Sequence, residues 1–249
     1  MRGRVAGFDP VIRRVRRDPE YRPQYDRWPA CVPAVDHILR SGLDLTPGLT
    51  IFVGENGSGK STVVELLAEA YGLNPQGGSV LARYADRVTE PGLGAHLVLE
   101  RGAVRPRWSY FVRADTAHGL YTYLEEHPGG EETTYHELSH GEGFLALLQT
   151  KVNGPGFYLL DEPDAALSFT SSLGLVAILD DLVRAGSQIL LATHSPIIAA
   201  APGATILELG EWGVRRSAWE DLALVRSWRS FLGEPGTYFR HLFEEQEPT

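Results

Sequence analysis

The stretch Gly54-Glu55-Asn56-Gly57-Ser58-Gly59-Lys60-Ser61-Thr62 follows the apolar run Leu49-Thr50-Ile51-Phe52-Val53 and precedes a helical pattern over residues 63–71. Strand, glycine-rich turn and helix in that order make a cradle for phosphate. Glycine lets the backbone curl with its N–H groups pointing inward, and the start of the following helix adds a positive end. Asn56, Gly57, Ser58, Gly59 and Thr62 are expected to line the cradle. Lys60 is placed to reach the terminal phosphates of a nucleotide, and Ser61 to hold Mg²⁺ through its hydroxyl. A merely structural turn would need the glycines but not the lysine and hydroxyls after them. Of 23 basic residues only Lys60 and Lys151 are lysines, and one of the two stands in this loop.

With 249 residues and 43% apolar content the chain can bury a sizeable core, and it reads as a single domain over 1–249 with an insertion at roughly 74–140. A single cysteine, Cys31, excludes an internal disulfide framework and fits a reducing compartment. No apolar run approaches the roughly 20 residues that span a bilayer, and the Arg-studded start lacks the apolar centre of a secretion signal, so the expected location is cytoplasmic. The net charge of −9 is uneven: residues 1–40 carry nine Arg against five acids. Arg13, Arg14, Arg16 and Arg17 form a dense basic cluster that could meet nucleic acid, a membrane surface or an acidic partner. The plainer alternative is a solvated face paired with Asp18, Glu20 and Asp26.

Further along, residues 35–39 read as a short helix, 96–100 and 108–113 as strands of an antiparallel segment, and 116–124 as a helix. The second half is more regular. A helix starts near Gly141, a buried strand covers 156–160, a helix 170–185, and further strands 188–192 and 205–209. Continuous apolar strands separated by helices imply a parallel sheet covered on both faces, whose ligands gather at the strands' carboxyl ends. The aromatic-rich tail from Glu211 onwards is expected to pack as helices on the core.

Three further motifs fall at or near that edge. Phe157-Tyr158-Leu159-Leu160-Asp161-Glu162 is an apolar strand ending in two acids. Asp161 is placed to hold the Mg²⁺ shell and Glu162 to polarise the attacking water. Thr193-His194-Ser195 ends the next strand, where His194 can donate to a γ-phosphate. Leu138-Ser139-His140-Gly141-Glu142-Gly143 opens a helix, and Ser139, Gly141 and the free N–H groups there offer a second anion-binding surface.

Loop, Ser-x-Gly-Glu-Gly segment, Leu-Leu-Asp-Glu-Pro and Thr-His-Ser, in this order over residues 45–210, resemble the Walker A loop, signature, Walker B strand and switch histidine of the ATP-binding-cassette (ABC) ATPases. More narrowly, residues 74–79, 111–115 and 200–208 are similar to those of small soluble bacterial ATPases of the AAA/SMC-like ABC group. The resemblance implies an α/β P-loop NTPase fold with an antiparallel and helical insertion between phosphate loop and signature. It also implies ATP and Mg²⁺ as ligands and a head-to-tail homodimer. Each ATP would sit on one chain's Lys60 and Ser61 and be covered by the other chain's Ser139 and Gly141. The chain departs from the family pattern at His140 and Glu142 in the signature and at Ser168, where aspartate is usual. No glutamine stands at the spacing of the metal-sensing glutamine; Asp115 is a substitute or, equally, a helix cap. Trp28 and Tyr25 are both candidates to stack on adenine.

The expected function is Mg²⁺-dependent ATP hydrolysis by a dimer acting as a soluble conformational switch for an unidentified protein partner. The alternatives are the ATPase subunit of a membrane transporter and a DNA- or RNA-associated repair or defence ATPase. A small-molecule kinase is disfavoured by the paired acids.

Overall fold

The computed structural model describes residues 8–75, 77–79, 92–113, 145, 148, 152, 154–165 and 167–244. Its elements are β1 (Ile12–Arg17), α1 (Pro33–Ser41), β2 (Leu43–Asp44), β3 (Leu49–Val53), α2 (Lys60–Tyr71), β4 (Gly78–Ser79), a 3₁₀ turn (Leu93–His96), β5 (Leu97–Arg101), β6 (Trp108–Arg113), β7 (Gly156–Asp161), α3 (Phe169–Arg184), β8 (Gln188–Thr193), α4 (Pro196–Ala199), β9 (Thr205–Gly210), β10 (Gly213–Arg216), α5 (Ala223–Gly233) and α6 (Pro235–Glu244).

Seven strands form the main sheet in the order β10-β9-β3-β8-β7-β6-β4, with β9, β3, β8, β7 and β6 parallel and β10 and β4 antiparallel at the edges. Strands β3, β7 and β8 are buried along their whole length, which is why they read as unbroken apolar runs rather than alternating ones. Successive side chains still point to opposite faces. Phe52, Phe157, Leu159 and Leu190 pack with α1, α2 and β1 on one face. Ile51, Val53, Tyr158, Leu160 and Leu191 pack with α3, α4 and the start of α5 on the other.

A second sheet, β2-β1-β5, is antiparallel and lies over the first core. The side chain of Gln188, fully buried at the start of β8, fastens the two sheets. Its Oε1 accepts from the Ile12 N–H at 2.9 Å, and its Nε2 donates to the carbonyls of Ile12 at 2.9 Å and Thr46 at 3.1 Å. A buried amide survives here because its donors and acceptor all find backbone partners.

The antiparallel pairing expected beyond α2 is carried by β5 on β1 and β4 on β6. Strand β6 itself differs from expectation and runs parallel to β7, because Tyr110, Phe111 and Val112 continue the buried central layer beside Tyr158, Leu159 and Leu160. The tail also begins with a strand, β10, before its helices. Glu208 anchors it: burial pushes this carboxyl's pKa up, but the Ala223 N–H, Arg215 and Ser217 outweigh that and hold it below the ordinary value.

The basic cluster is engaged with the protein's own groups. Arg13 pairs with Asp9, Arg14 with Asp44 and Arg16 with Glu100, while Arg17 donates to the carbonyls of Leu39, Asp18 and Tyr21. The partners differ from the expected Asp18, Glu20 and Asp26 side chains, because β1 is zipped between β2 and β5, so Arg14 and Arg16 reach across to those strands while Arg13 turns back to Asp9.

Candidate functional site

The phosphate loop leaves the carboxyl end of β3 and enters α2 at Lys60. Gly57 and Gly59 have φ of 82° and 92°, a left-handed backbone that side-chain-bearing residues rarely adopt, so the curl of the loop depends on them. At Gly59 a Cβ would also lie 2.5 Å from Val32 Cγ1, so the segment before α1 presses on the loop. Lys60 is buried, and its Nζ donates to the carbonyls of Gly54 and Glu55, both at 3.0 Å. Burial lowers its pKa, opposed by the charges of Glu162, Asp161 and Asp164.

The acids arrive from β7, two strands away in the sheet. Asp161 is 5% exposed, and the Ser61 hydroxyl beside it favours its charged form. Glu162 has a φ of 48°, unusual for a residue with a Cβ. Its N–H donates to the Ala192 carbonyl of β8 at 3.0 Å, and its own carbonyl accepts from Ala165 at 3.0 Å. This turn sets Glu162 Oε1 between two groups: Lys60 Nζ at 4.0 Å and His194 Nδ1 at 3.6 Å, both longer than a hydrogen bond.

His194 follows β8, and its position is fixed by its neighbours. The Thr193 hydroxyl donates to Asp164 Oδ1 at 2.6 Å, and the Ser195 N–H donates to Thr193 Oγ1 at 2.9 Å. Asp164, buried, thus ties the histidine segment to the turn that follows Glu162. Desolvation raises the pKa of Asp164, opposed first by the Thr193 bond. The expected residues Asn56, Gly57, Ser58, Gly59, Lys60, Ser61, Thr62, Asp161, Glu162 and His194 therefore share one edge of the sheet. Ser139, Gly141 and Asp115 lie outside the described residues. Ser168 caps α3, its side chain accepting from the Ser171 N–H at 3.1 Å.

Two groups near the acids were not singled out from the sequence. Arg113 ends β6 directly opposite Asp161, with Nε 3.8 Å from Asp161 Oδ2, and its Nη1 donates to Glu65 Oε1. Asp164 is the other. Strand register brings in the first and a turn the second, and neither is legible from motif spacing; the unusual run of three acids within 161–164 was the available signal for Asp164.

Among the described residues, two buried side-chain polar atoms have no hydrogen-bond partner, Ser58 Oγ and Asp161 Oδ1. Both belong to this edge. Orphaned buried oxygens are costly, and a carboxylate oxygen beside the Ser61 hydroxyl is the donor chemistry that Mg²⁺ takes. Desolvation raises the Asp161 pKa to about 6, opposed by the Ser61 hydroxyl and the Arg113 charge.

Because the folded-state value lies above the ordinary 3.8, the stabilising contribution of Asp161 is full below about pH 4 and is lost as pH rises through about 6. At neutral pH the charged carboxylate is therefore held at the expense of stability. Asp161→Asn is expected to stabilise the nucleotide-free protein at pH 7.5 by up to about 3 kcal/mol, with the gain disappearing by pH 4. Urea midpoints at the two pH values measure this.

Over residues 41–165 the chain matches the family model described as ABC transporter. A Streptomyces coelicolor protein described as an ABC transporter ATP-binding protein is 33% identical over 199 residues, covering 72% of this chain and 34% of the relative. The macrolide export ATP-binding/permease protein MacB 1 of Yersinia pestis is 27% identical, covering 67% of this chain and 29% of its own. This chain spans about a third of the length of these relatives. The cytochrome c biogenesis ATP-binding export protein CcmA of Bordetella parapertussis is 32% identical over 187 residues, covering 68% of this chain and 83% of the relative.

Proposed function

This chain belongs to the ABC transporter family and is an ATPase domain, and from that premise we propose that it binds Mg·ATP on the edge formed by β3, β7 and β8 and hydrolyses it in a nucleotide-sandwich dimer. The observation that carries the reading is the placement of one Glu162 oxygen between Lys60 and His194, at 4.0 and 3.6 Å. A general base must stand within reach of the water that attacks the phosphate, and these are the two groups that would bracket that phosphate.

In this mechanism the loop N–H groups and the N-terminus of α2 take the phosphate oxygens. Lys60 keeps its bonds to Gly54 and Glu55 and directs its remaining proton toward the terminal phosphates. Glu162 accepts a proton from the attacking water, and His194 aligns that water and the γ-phosphate from the opposite side. Ser61 and Asp161 would hold Mg²⁺, which supplies charge neutralisation of the phosphates when bound. Between the two aromatic candidates, Tyr25 is covered by the Arg40 guanidinium at 3.9 Å, while Trp28 is 71% exposed in the segment that presses on Gly59. Trp28 is therefore the adenine platform.

Ser139 and Gly141 of a second copy would cover the phosphates, so closure and ATP binding are one event. As for what reads that motion, the relatives named for export favour a second reading in which the chain is the energy-supplying subunit of a membrane transporter. Among the described residues no helix is long and apolar enough to cross a membrane. Copurification with an integral membrane protein supports the transporter; a protein recovered alone or with soluble partners supports the free switch. The primary test is phosphate release from ATP. It is expected to require Mg²⁺ and to stop on chelation with EDTA; release that continues at full rate in EDTA would refute the assigned site.

A further inference from the structure

On the reading above, in which Glu162 and His194 act from two sides on the attacking water, we infer that Asp164 is a positioning residue for hydrolysis: through the Thr193 hydroxyl it sets the backbone turn that aims His194 at Glu162.

His194 has little of its own to hold it in place. Its side chain is 45% exposed and makes no hydrogen bond among the described residues, since Glu162 Oε1, 3.6 Å from its Nδ1, is beyond that range. Such an imidazole points where its backbone directs it. That backbone is tied from both sides by one oxygen: Thr193 Oγ1 donates to Asp164 Oδ1 at 2.6 Å and accepts from the Ser195 N–H at 2.9 Å, which bridges the residues before and after His194. A hydroxyl has one proton and two lone pairs. Because Asp164 takes the proton, a lone pair is left to face the Ser195 N–H; without that acceptor the hydroxyl can rotate and the tie is lost. The other end of the link is as local. Asp164 stands two residues beyond Glu162, in a turn closed by bonds from the Ala165 N–H to the Glu162 carbonyl and from the Leu167 N–H to the Asp164 carbonyl, both at 3.0 Å. Base and histidine are thus held by one short connection.

A staple between strands accounts poorly for an acid here. Strands β7 and β8 already pair from Phe157 with Gln188 to Asp161 with Ala192, and the Glu162 N–H adds a bond to the Ala192 carbonyl. Joining them once more needs no carboxyl group, and burying one is costly. Asp164 is 9% exposed, and desolvation raises its pKa. What this carboxyl adds beyond the strand pairing is confined to Thr193 and, through it, Ser195, the two residues that flank His194.

ATP hydrolysis by the whole chain with Mg²⁺, with kcat and KM determined separately, tests this in a cycle of variants. Asp164→Ala is expected to lower kcat about tenfold or more, the scale on which a misplaced group costs rate, and to leave KM for ATP within about twofold. Asp164→Asn, whose Oδ1 can still accept from Thr193, should recover most of that rate. His194→Ala supplies the background: since Asp164 acts through this histidine, Asp164→Ala added to His194→Ala should cost less than about twofold more. Thr193→Val breaks the same bond from its other end and carries the cycle if Asp164→Ala does not fold. Equal losses in the two backgrounds would make Asp164 a staple of the fold and overturn the inference, as would a loss confined to KM or no loss at all. A slow His194→Ala with an independent Asp164 loss leaves the mechanism above standing; a wild-type rate in His194→Ala alone removes the histidine from that mechanism and the role of Asp164 with it.

Discussion

Lys60→Ala is expected to lose ATP affinity by roughly ten- to a hundredfold, the scale of one charge-assisted hydrogen bond, while keeping its fold. Both halves follow from the resting geometry. Two of the three ammonium protons are directed to the Gly54 and Glu55 carbonyls and hold the loop in shape; a third direction faces the Glu162 side, where phosphate would sit. The charge is buried at some cost, and burial lowers its pKa, so deleting it relieves desolvation as it removes two bonds. Binding then suffers much more than stability. Fluorescent-nucleotide titration reads the affinity and thermal denaturation the fold. Wild-type affinity in the variant would show that the loop does not bind the terminal phosphates through Lys60.

The central unit was legible because its signals are local. The β3 strand was expected over 49–53 and spans Leu49–Val53, and α2 begins at Lys60, where the last loop glycine ends. Strands β7 and β8 were likewise visible as apolar runs ending in Asp161 and Thr193. What could not be read depends on neighbours distant in sequence. Strand β6 was expected to be antiparallel, since six residues of Trp-Ser-Tyr-Phe-Val-Arg have no direction until β7 lies beside them. That same pairing is what brings Arg113 to Asp161. The Thr193 bond to Asp164 is of the same kind: a hydroxyl and a carboxylate 29 positions apart meet only because β7 and β8 are adjacent. The arginine cluster illustrates the same dependence: the plainer reading of a self-paired face holds, but two of the acids that pair with it, Asp44 and Glu100, are set by the fold rather than by proximity in sequence.

Glu162→Gln separates binding from chemistry more sharply than any other substitution here. The amide keeps the size of the carboxylate, and the backbone bonds at this position, from the Glu162 N–H to Ala192 and from Ala165 to the Glu162 carbonyl, do not involve the side chain. The left-handed backbone is therefore retained, and with it the placement of the side chain between Lys60 and His194. What is lost is the ability to accept a proton from water. Removing a general base costs typically 10²–10⁴ in rate, and hydrolysis is expected to fall by that factor. Binding should persist, since Lys60, Ser61 and Asp161 are untouched. If two copies close over ATP and open only after cleavage, the variant accumulates as a dimer in Mg·ATP and reverts to monomer when ATP is withheld; light scattering measures this directly. Three outcomes are distinguishable. Slow hydrolysis with dimer accumulation supports base and sandwich together. Slow hydrolysis by a persistent monomer keeps the base and removes the sandwich. Turnover at the wild-type rate removes Glu162 from the chemistry.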